Sequence, residues 1–224
     1  GIDRIIYKPV GGNCGKGVSV YDISEDNIED VYRELRDFPA GVVEQYLVQH
    51  PELSSLAPDS VNTIRVVTIS SKDFPVNDAG DHFDIAYAAL RIGGGSSVVD
   101  NFHSGGMVTA VDLETGKVIT NAVDMKGKVY RNHPVTEKKI QGFTIPAFND
   151  VLDMAKAACG DLEGYLGWDI AVSENGPVLI EVNTKPAVAL LQMPYVPKRK
   201  GMKYVMEKYL DICPEDYERR KEIE

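Results

Sequence analysis

Two stretches near the end of the chain, 167–173 and 177–183, alternate apolar and polar residues with a period of two. This alternation is typical of half-buried strands, and Asn175-Gly176 between them marks a chain reversal. The pattern therefore predicts an antiparallel hairpin with one face directed into the core.

The length of the hairpin loop decides which side chains meet across it. A two-residue loop would place Asp169 opposite Val182 and send Asp169 and Glu181 to different faces, because a one-residue slip inverts the side-chain pattern. A three-residue loop, 174–176, instead pairs apolar residues throughout: Trp168 with Val182, Ile170 with Ile180 and Val172 with Val178. This register, which we predict, places Asp169 opposite Glu181, with Asn183 on the same face.

Two carboxylates and an amide oxygen, from Asp169, Glu181 and Asn183, thus converge at one point of the predicted sheet. Carboxylates placed directly opposite each other repel, so a compensating charge is expected. Magnesium or manganese would supply it, since both cations prefer oxygen ligands. The alternative is a solvated face on which the acidic residues are simply exposed.

Near the start of the chain, residues 5–10 and 18–23 are predicted strands joined by a glycine-rich loop. Small residues there would let backbone N–H groups approach an anion, and Lys8 or Lys16 would add positive charge. The loop is not a Walker loop, because a strand follows it instead of a helix. A mobile turn without a ligand is the alternative.

A helix is predicted from an N-cap at Ser24 to about Phe38, followed by a strand over 42–47. The chain changes character at Gln49-His50-Pro51, and we place a boundary there. The two predicted subdomains are residues 1–48 and residues 49–224.

The second subdomain is predicted to contain a larger sheet, with strands at 62–69, 83–92 and 106–113. Arg65 and Arg91 interrupt the first two of these apolar strands. A buried, unpaired guanidinium is costly, so each should meet an anion, either a carboxylate of the fold or a ligand phosphate. The remaining segments are predicted as an excursion over the active face (121–143), a helix (147–158) and a loop packed across the site (184–197).

Composition narrows the possible partners and compartments. The 224 residues carry a net charge of −10, which argues against a nucleic-acid backbone as the main partner. Cys14, Cys159 and Cys213 are odd in number and widely spaced, so neither a disulfide framework nor a zinc site is predicted, and a reducing, cytoplasmic compartment fits best. No membrane span and no signal peptide are predicted, because no sufficiently long apolar run and no basic leader are present.

The order of these features resembles the ATP-grasp superfamily. The resemblance rests on Lys8 before a glycine-rich hairpin, the later strand arginines, and Asp169 twelve residues before Glu181-Val182-Asn183. Several blocks are similar to the sugar-transfer-associated branch, which is related to the ribosomal-protein glutamate ligases: Asn-Thr-Ile-Arg, Leu-Arg-Ile-Gly, Val-Asp-Asn-Phe-His-Ser-Gly-Gly, Gly-Trp-Asp-Ile-Ala and Ile-Glu-Val-Asn-Thr-Lys-Pro. The likeness spans about residues 5–194.

The resemblance implies an α+β ATP-grasp fold, in which two α/β subdomains with mainly antiparallel sheets sandwich a nucleotide. Residues 1–48 would form the small lid subdomain, and residues 49–224 the large catalytic subdomain with a C-terminal helical tail. ATP-grasp ligases normally carry an amino-terminal α/β domain before the strand that bears Lys8. That domain is expected to be absent from this chain, which is then a fragment, or is completed by a partner chain, or belongs to a branch that has lost it.

The same resemblance implies the nucleotide contacts. It places Lys8 at the α and β phosphates, under a lid formed by Gly11, Gly12, Gly15, Lys16 and Gly17. The backbone of Gln45 and Leu47 would read the edge of adenine, with Glu44 close to its amino group. Glu52 would bind the ribose, with His50 as the rival candidate.

The residues implied for phosphoryl transfer come from the second subdomain. Arg91 and Asn101 would face the γ phosphate, and Arg65 the acceptor carboxylate or a phosphate. His103 would contact the acyl phosphate, with a structural histidine as the alternative. The magnesium (or manganese) ligands would be Asp169, Glu181 and Asn183.

The implied activity is that of an ATP- and magnesium-dependent carboxylate–amine ligase that forms amide bonds through an acyl phosphate. Its acid and amine substrates would be small molecules or peptides, in the synthesis of cell-surface polysaccharides or peptide conjugates. Two alternatives are an ATP-dependent phosphotransferase acting on a hydroxyl and a nucleotide-binding domain without catalysis. Substrate specificity is expected to reside in residues 121–143 and 187–200.

Overall fold

The computed structural model describes residues 2–10, 17–70, 83–95, 105–160, 162–203 and 205. The chain divides into two compact units, Gly1–Val48 and Gln49–Glu224. Each unit combines an antiparallel sheet with helices, which confirms the predicted α+β class.

The first unit is a three-stranded sheet with one helix. Its elements are β1 (Arg4–Pro9), β2 (Ser19–Asp22), α1 (Ile28–Arg36) and β3 (Gly41–Gln45), in the strand order β2-β1-β3. Tyr7 is buried, its ring lies 5.1 Å from that of Phe38, and its hydroxyl donates to the Pro39 carbonyl at 2.6 Å. These contacts fasten the segment after α1 to one face of the sheet. Lys8 follows Tyr7 directly and therefore lies on the opposite face.

Helix α1 begins later than the sequence predicts. Asn27 is its N-cap residue, and the Asn27 side chain accepts from the Ser24 N–H at 2.8 Å and donates to the Asp22 carbonyl at 2.9 Å. The predicted N-cap at Ser24 is therefore wrong, because these bonds stabilise a turn before the helix.

The second unit is built on a seven-stranded antiparallel sheet, in the order β10-β9-β4-β5-β6-β7-β8. Its strands are β4 (Ile64–Ser70), β5 (Phe83–Ile92), β6 (Met107–Val111), β7 (Ala122–Asp124), β8 (Val129–Tyr130), β9 (Gly164–Ser173) and β10 (Gly176–Asn183). Its helices are α2 (Pro51–Leu56), α3 (Phe148–Cys159) and α4 (Ala189–Gln192), and α4 continues into a 3-10 helix, Met193–Lys198.

The two faces of this sheet differ in chemistry. One face carries Val66, Trp168 and Ile170, which pack with α2 and α3 in the main core. Because side chains alternate along a strand, Arg65 and Asp169 lie on the other face. Helix α4 packs on that second face through Leu190 and Leu191, in two small clusters. We call it the polar face, since it carries the charged residues of the sheet centre.

The hairpin of β9 and β10 differs from the predicted one in its loop. Gly176 pairs with Ser173, so the loop has two residues instead of three. Two predicted pairs are therefore wrong: Ile170 with Ile180, and Val172 with Val178. A β-bulge at Ile180 adds one residue to β10 and inverts the pattern beyond it. Two predicted pairs are confirmed as a result: Asp169 with Glu181, and Trp168 with Val182.

Residues 121–143 form β7, β8 and several turns, and part of this segment joins the main core. Ala122 and Ile140 are fully buried in the cluster on the apolar side of the sheet. At these positions the segment does not form the predicted excursion over the active face, because their apolar side chains are buried there. Residues 187–200, which contain α4 and the 3-10 helix, do pack on the polar face, and we call them the covering segment. Their contacts come from Leu190, Leu191, Met193 and Tyr195.

A buried amide network ties the start of β4 to α2 and to the end of β5. The Asn62 side-chain N–H₂ donates to Gln49 Oε1 (3.0 Å) and to the carbonyls of Leu53 (3.3 Å) and Ala57 (2.9 Å). The Asn62 side-chain oxygen accepts from the Gly93 N–H at 3.2 Å. Buried polar groups are stable only when paired, so this single amide holds three chain segments in place.

We expect Asn62→Ala to lower the free energy of unfolding by about 1–3 kcal/mol, because the Gly93 N–H loses a buried partner. Urea denaturation followed by the fluorescence of Trp168, the single tryptophan, would measure the change. Asn132→Ala, at an exposed asparagine, is the control and should change stability by less than about 0.5 kcal/mol. Equal unfolding curves for the Asn62 variant and the wild type would contradict a stabilising role for the network.

Two further findings concern the described residues alone. None of their helices is long and apolar enough to cross a membrane. Cys159 is buried and free of any disulfide.

Candidate active site

Four charged side chains meet on the polar face of the large sheet. Arg65 of β4 is the register partner of Asp169 of β9, which in turn lies opposite Glu181 of β10. Arg91 reaches the same carboxylate from β5. The structure thus joins two predicted catalytic arginines to two predicted metal ligands in one cluster.

Asp169 is the centre of this cluster and is only 1% exposed. Arg65 binds it through two nitrogens: Nε donates to Oδ1, and Nη2 donates to Oδ2 at 2.7 Å. Arg91 Nη1 donates to Oδ2 at 2.6 Å. The arginine side chains are 7% and 13% exposed, so solvent and salt screen these ion pairs weakly. Of the two predicted kinds of partner for the mid-strand arginines, the structure shows a carboxylate of the fold.

The environment shifts the pKa values of the two acids in opposite directions. Burial by itself would raise the pKa of Asp169, but the hydrogen bonds from Arg65 and the charges of Arg91 and Arg65 outweigh it and lower that pKa. Desolvation and the hydrogen bond with Asp169 raise the pKa of Glu181. Asp169 therefore keeps its charge in acid longer than an ordinary aspartate, while Glu181 takes up a proton more readily than an ordinary glutamate.

Glu181 and Asn183 are the more accessible members of the predicted metal site. Glu181 is exposed, Asn183 is partly exposed, and Asn183 Nδ2 donates to Glu181 Oε1 at 3.2 Å. Their oxygens are of the kind that magnesium prefers. Both oxygens of Asp169 already accept from guanidinium groups, so Glu181 and Asn183 fit a cation better than Asp169 does. Within the described part of the chain, no group of three or more His, Cys, Asp or Glu side chains is placed to hold a metal.

The bulge at Ile180 is the local feature that brings these residues to one face. Without the extra residue, the observed loop at residues 174–175, which differs from the two-residue loop at 175–176 considered above, would place Glu181 opposite Trp168, on the apolar side of the sheet. With it, Glu181 and Asn183 lie on the face that carries Asp169. Bulges commonly re-aim a side chain next to an active site.

Two tyrosines lie near Arg65 on the polar face. The hydroxyls of Tyr87 and Tyr165 are 3.1 Å apart, and burial raises the pKa of both groups. Leu191 of the covering segment packs in the same cluster as Tyr87. Neutral phenols and an apolar cover thus keep the surroundings of Arg65 poor in water, which strengthens its ion pair with Asp169.

His133 holds the end of β5, although nothing in the sequence marks it as a residue of the site. His133 is 1% exposed, and its Nδ1 accepts from the Thr136 N–H at 3.2 Å. Nε2 therefore carries the proton and donates to the Gly93 carbonyl at 2.9 Å. Asn62 accepts from the Gly93 N–H and His133 donates to the Gly93 carbonyl, so both backbone polar groups of Gly93 are paired. Gly93 lies two residues after Arg91. The partners are 40 positions apart, so no local pattern marks this histidine.

The predicted nucleotide residues of the first unit lie on its sheet or just beyond it. Lys8 and Glu44 form an ion pair of 2.5 Å on the face away from Tyr7. Gln45 is the last residue of β3, and Leu47 follows the strand. Gly17 has a φ of 77°, a left-handed conformation that favours glycine.

The two candidates for the ribose contact lie in the described part of the chain, whereas most of the predicted lid residues and two residues predicted for phosphoryl transfer lie outside it. His50 Nδ1 accepts from the Glu52 N–H at 3.3 Å and thereby caps α2, while Glu52 itself is exposed. The ribose contact stays a prediction for Glu52, with His50 as the rival candidate. Six other predicted residues lie outside the described residues: Gly11, Gly12, Gly15, Lys16, Asn101 and His103.

Comparison with solved structures finds proteins of low sequence identity. A D-alanine–D-alanine ligase from Bacillus anthracis is 16% identical, with 95% of this chain and 56% of that chain covered and a TM-score of 0.41. The ligase from the same organism complexed with ATP is 14% identical, with 91% and 51% covered and a TM-score of 0.41. A RimK domain ATP-grasp protein from Sphaerobacter thermophilus is 12% identical, with 88% and 48% covered and a TM-score of 0.37. The chain spans about half the length of these proteins.

Comparison with curated proteins gave no match. Comparison with protein families matched residues 36–206 to the family described as sugar-transfer associated ATP-grasp. The match covers well over half of the chain and includes every member of the charged cluster on the polar face. The chain therefore belongs to the sugar-transfer-associated ATP-grasp family.

Proposed function

We propose that this chain is an ATP-dependent carboxylate–amine ligase. The observation that carries the proposal is the pair of guanidinium groups, Arg65 and Arg91, that one buried carboxylate, Asp169, holds on the polar face. Asp169 is the buried carboxylate that binds both guanidinium groups, whereas Glu181, the other acid of the cluster, is exposed, so two positive charges are fixed in advance on this face. Such preorganised charge stabilises a transferring phosphoryl group. Family membership supports ATP as the donor.

The proposed reaction has two steps. A carboxylate oxygen of the first substrate attacks the γ phosphorus of ATP, the bond to the bridging oxygen breaks, and ADP leaves. An amine then attacks the carbonyl carbon of the acyl phosphate, inorganic phosphate leaves, and the nitrogen loses a proton. Both steps require positioning and neutralisation of charge more than a nucleophile of the protein.

The geometry divides the roles of the two arginines. Arg65 uses Nε and Nη2 on Asp169 and is the more deeply buried, so we assign it to holding that carboxylate and to contributing charge. Arg91 is the more exposed and is assigned to the γ phosphoryl group. The proposal keeps Asn101 at the γ phosphate and His103 at the acyl phosphate.

The first unit would bind the nucleotide. Lys8 is partly exposed and charged, and its flexible ammonium suits the α and β phosphates under the lid residues. Glu44 and the backbone of Gln45 and Leu47 would contact adenine, and Glu52, near the start of the second unit, would contact the ribose. When bound, magnesium or manganese would neutralise phosphate charge, held by Glu181 and Asn183 with Asp169 next to them.

We expect Glu181→Gln to reduce the gain in ATP affinity that magnesium produces by about tenfold or more, because the accessible anionic ligand of the proposed site is lost. Isothermal titration of ATP with and without magnesium would measure that gain. Glu174→Gln, at the exposed loop of the same hairpin, is the matched control and should keep the full gain. An undiminished gain in the Glu181 variant would remove the metal assignment.

The reaction class is tested by trapping the acyl phosphate. The full chain is incubated with ATP, magnesium and a panel of carboxylates, with hydroxylamine in place of the amine. We expect release of ADP that depends on the carboxylate, together with a hydroxamate. A phosphorylated hydroxyl product without hydroxamate would select the phosphotransferase instead. Thermal stabilisation by Mg-ATP without any turnover would select a non-catalytic nucleotide-binding domain.

The substrates are proposed only as a class. The family is described as sugar-transfer associated, which supports an acid or amine linked to a carbohydrate, in polysaccharide or peptide-conjugate synthesis. Residues 187–200 are the segment proposed to select it, because they cover the polar face beside the charged cluster. We place the reaction in the cytoplasm, where ATP is available.

A further inference from the structure

Gly167 is a buried glycine on β9, on the same face as Asp169 and two residues before it. It pairs with Val67 of β4 on one side and with Asn183 of β10 on the other. Gly167 is therefore surrounded by the strands that carry the charged cluster, although it has no polar side chain of its own.

The space above Gly167 is filled by two other residues. A Cβ atom at Gly167 would lie 2.7 Å from Pro186 Cβ, 3.2 Å from Pro186 Cγ and 3.1 Å from Arg65 Cδ. Gly167 does not adopt a left-handed backbone conformation, so an alanine would meet no conformational penalty there. The glycine is required by the close approach of its neighbours and not by its backbone angles.

This close approach involves one residue of the charged cluster, Arg65, and one residue of the chain that leads from β10 to α4, Pro186. Pro186 is buried and has a rigid ring, so it cannot turn away from the space above Gly167. Only two residues separate Pro186 from Asn183, and α4 begins three residues after it. The Arg65 chain and the start of the segment that covers the polar face therefore share the space that the missing side chain of Gly167 leaves open.

We propose that Gly167 is a positioning residue: its lack of a side chain leaves the Arg65 chain the space beside the Pro186 ring that it needs to bring its guanidinium onto Asp169. Close-packed groups transmit a shift of one atom to its neighbours. An added methyl group at Gly167 must displace either the Pro186 ring or the Arg65 chain, since neither distance leaves room for it. Because the Pro186 ring is rigid, we expect the flexible Arg65 chain to move, and its guanidinium then loses the two-nitrogen geometry on Asp169. The kinetic part of the test below rests on the proposed function, whereas its spectroscopic part does not.

The test compares Gly167→Ala with the double variant Gly167→Ala/Pro186→Gly, which removes the opposing ring. The Arg65 Nε–H signal is observed by ¹H–¹⁵N NMR in the full chain, assigned by triple-resonance spectra. In the wild type we expect a slowly exchanging signal, since this N–H is buried against a carboxylate. In Gly167→Ala the signal should move and exchange faster, and in the double variant it should return toward the wild-type position. Gly201→Ala is the matched control, because a Cβ there meets nothing within 4 Å.

If the chain forms hydroxamates, Gly167→Ala should also lower kcat by about 10- to 100-fold, as displacement of a charge-stabilising group does. The KM for ATP should stay within about twofold, because the nucleotide contacts are elsewhere, and the double variant should regain most of kcat. An unmoved Arg65 signal in folded Gly167→Ala, or no recovery in the double variant, would overturn the proposal. If the wild type lacks ligase activity, the NMR comparison still decides it, so the two failures are distinguishable.

Discussion

Asp169→Asn is expected to lower the free energy of unfolding by about 3–5 kcal/mol, the usual cost of breaking a buried ion pair from one side. Asp169 accepts hydrogen bonds from Arg65 on both oxygens and from Arg91 on one. Asparagine keeps the shape but has one acceptor oxygen, and its N–H₂ would point at a guanidinium that also donates. Arg65 and Arg91, both nearly buried, would then lose the anionic partner that they share. Urea denaturation at neutral pH would measure the loss.

Asp153→Asn is the matched control for this substitution. It makes the same chemical change at an exposed aspartate of α3, whose ion pair with Lys156 has an N–O distance of 2.8 Å. Exposed pairs contribute about 0–1 kcal/mol, so the control should stay close to the wild type. Similar losses from both substitutions would show that burial of the pair with the arginines has little energetic weight.

The stabilisation by Asp169 should also depend on pH. Because the arginines lower its pKa in the folded state, the stabilisation is fully present above the unfolded-state pKa, about 3.9, and is lost as the pH falls through the folded-state value. Glu181 has the opposite sign, since its folded-state pKa is raised and its contribution is lost as the pH rises through that value. The stability difference between the wild type and Asp169→Asn should therefore shrink in strong acid. A difference that is constant down to the lowest pH would contradict the lowered pKa.

The sequence predicts that Asp169 pairs with Glu181, but it does not predict the shorter loop and the bulge that produce this pair. Apolar alternation and the Asn-Gly turn locate both strands. They do not reveal the bulge at Ile180, because a residue added to one strand leaves the apolar count of the hairpin unchanged. The correct pair was therefore predicted with the wrong loop, and the two errors cancelled beyond Leu179.

The ion pairs of the site show a different limit of sequence reasoning. The rule that a mid-strand arginine needs an anion correctly predicts a partner for Arg65. It does not say which one, because Asp169 is 104 positions away and is adjacent only once β4 and β9 pair. From the sequence, Asp169 is assigned to a metal and Arg65 to a substrate, whereas the structure shows them bound to each other. His133 and Asn62 escape notice for the same reason, since their common partner Gly93 is distant from both.

The largest effect on activity is expected from Arg91→Gln. Removal of one preorganised group that stabilises developing charge typically costs about 10²- to 10³-fold in kcat, and Arg91 is the arginine assigned to the transferring phosphoryl group. Carboxylate-dependent ADP release would measure the loss, with ATP affinity followed separately by titration. Affinity should change little, because most of the proposed nucleotide contacts lie in the first unit. Arg131→Gln, at an exposed arginine, is the matched control and should keep full turnover.

Arg91→Lys separates charge from geometry at the same position. Lysine keeps the positive charge but has a compact ammonium in place of a planar fork, so it does not reproduce the directions in which the guanidinium donates. We therefore expect Arg91→Lys to remain far below the wild type in kcat. Stability should fall less in both Arg91 variants than in Asp169→Asn, because Asp169 keeps its two bonds from Arg65 and no charge is left without a partner. Turnover close to that of the wild type in Arg91→Gln would remove Arg91 from the transfer step, whereas wild-type turnover in Arg91→Lys alone would show that charge suffices there.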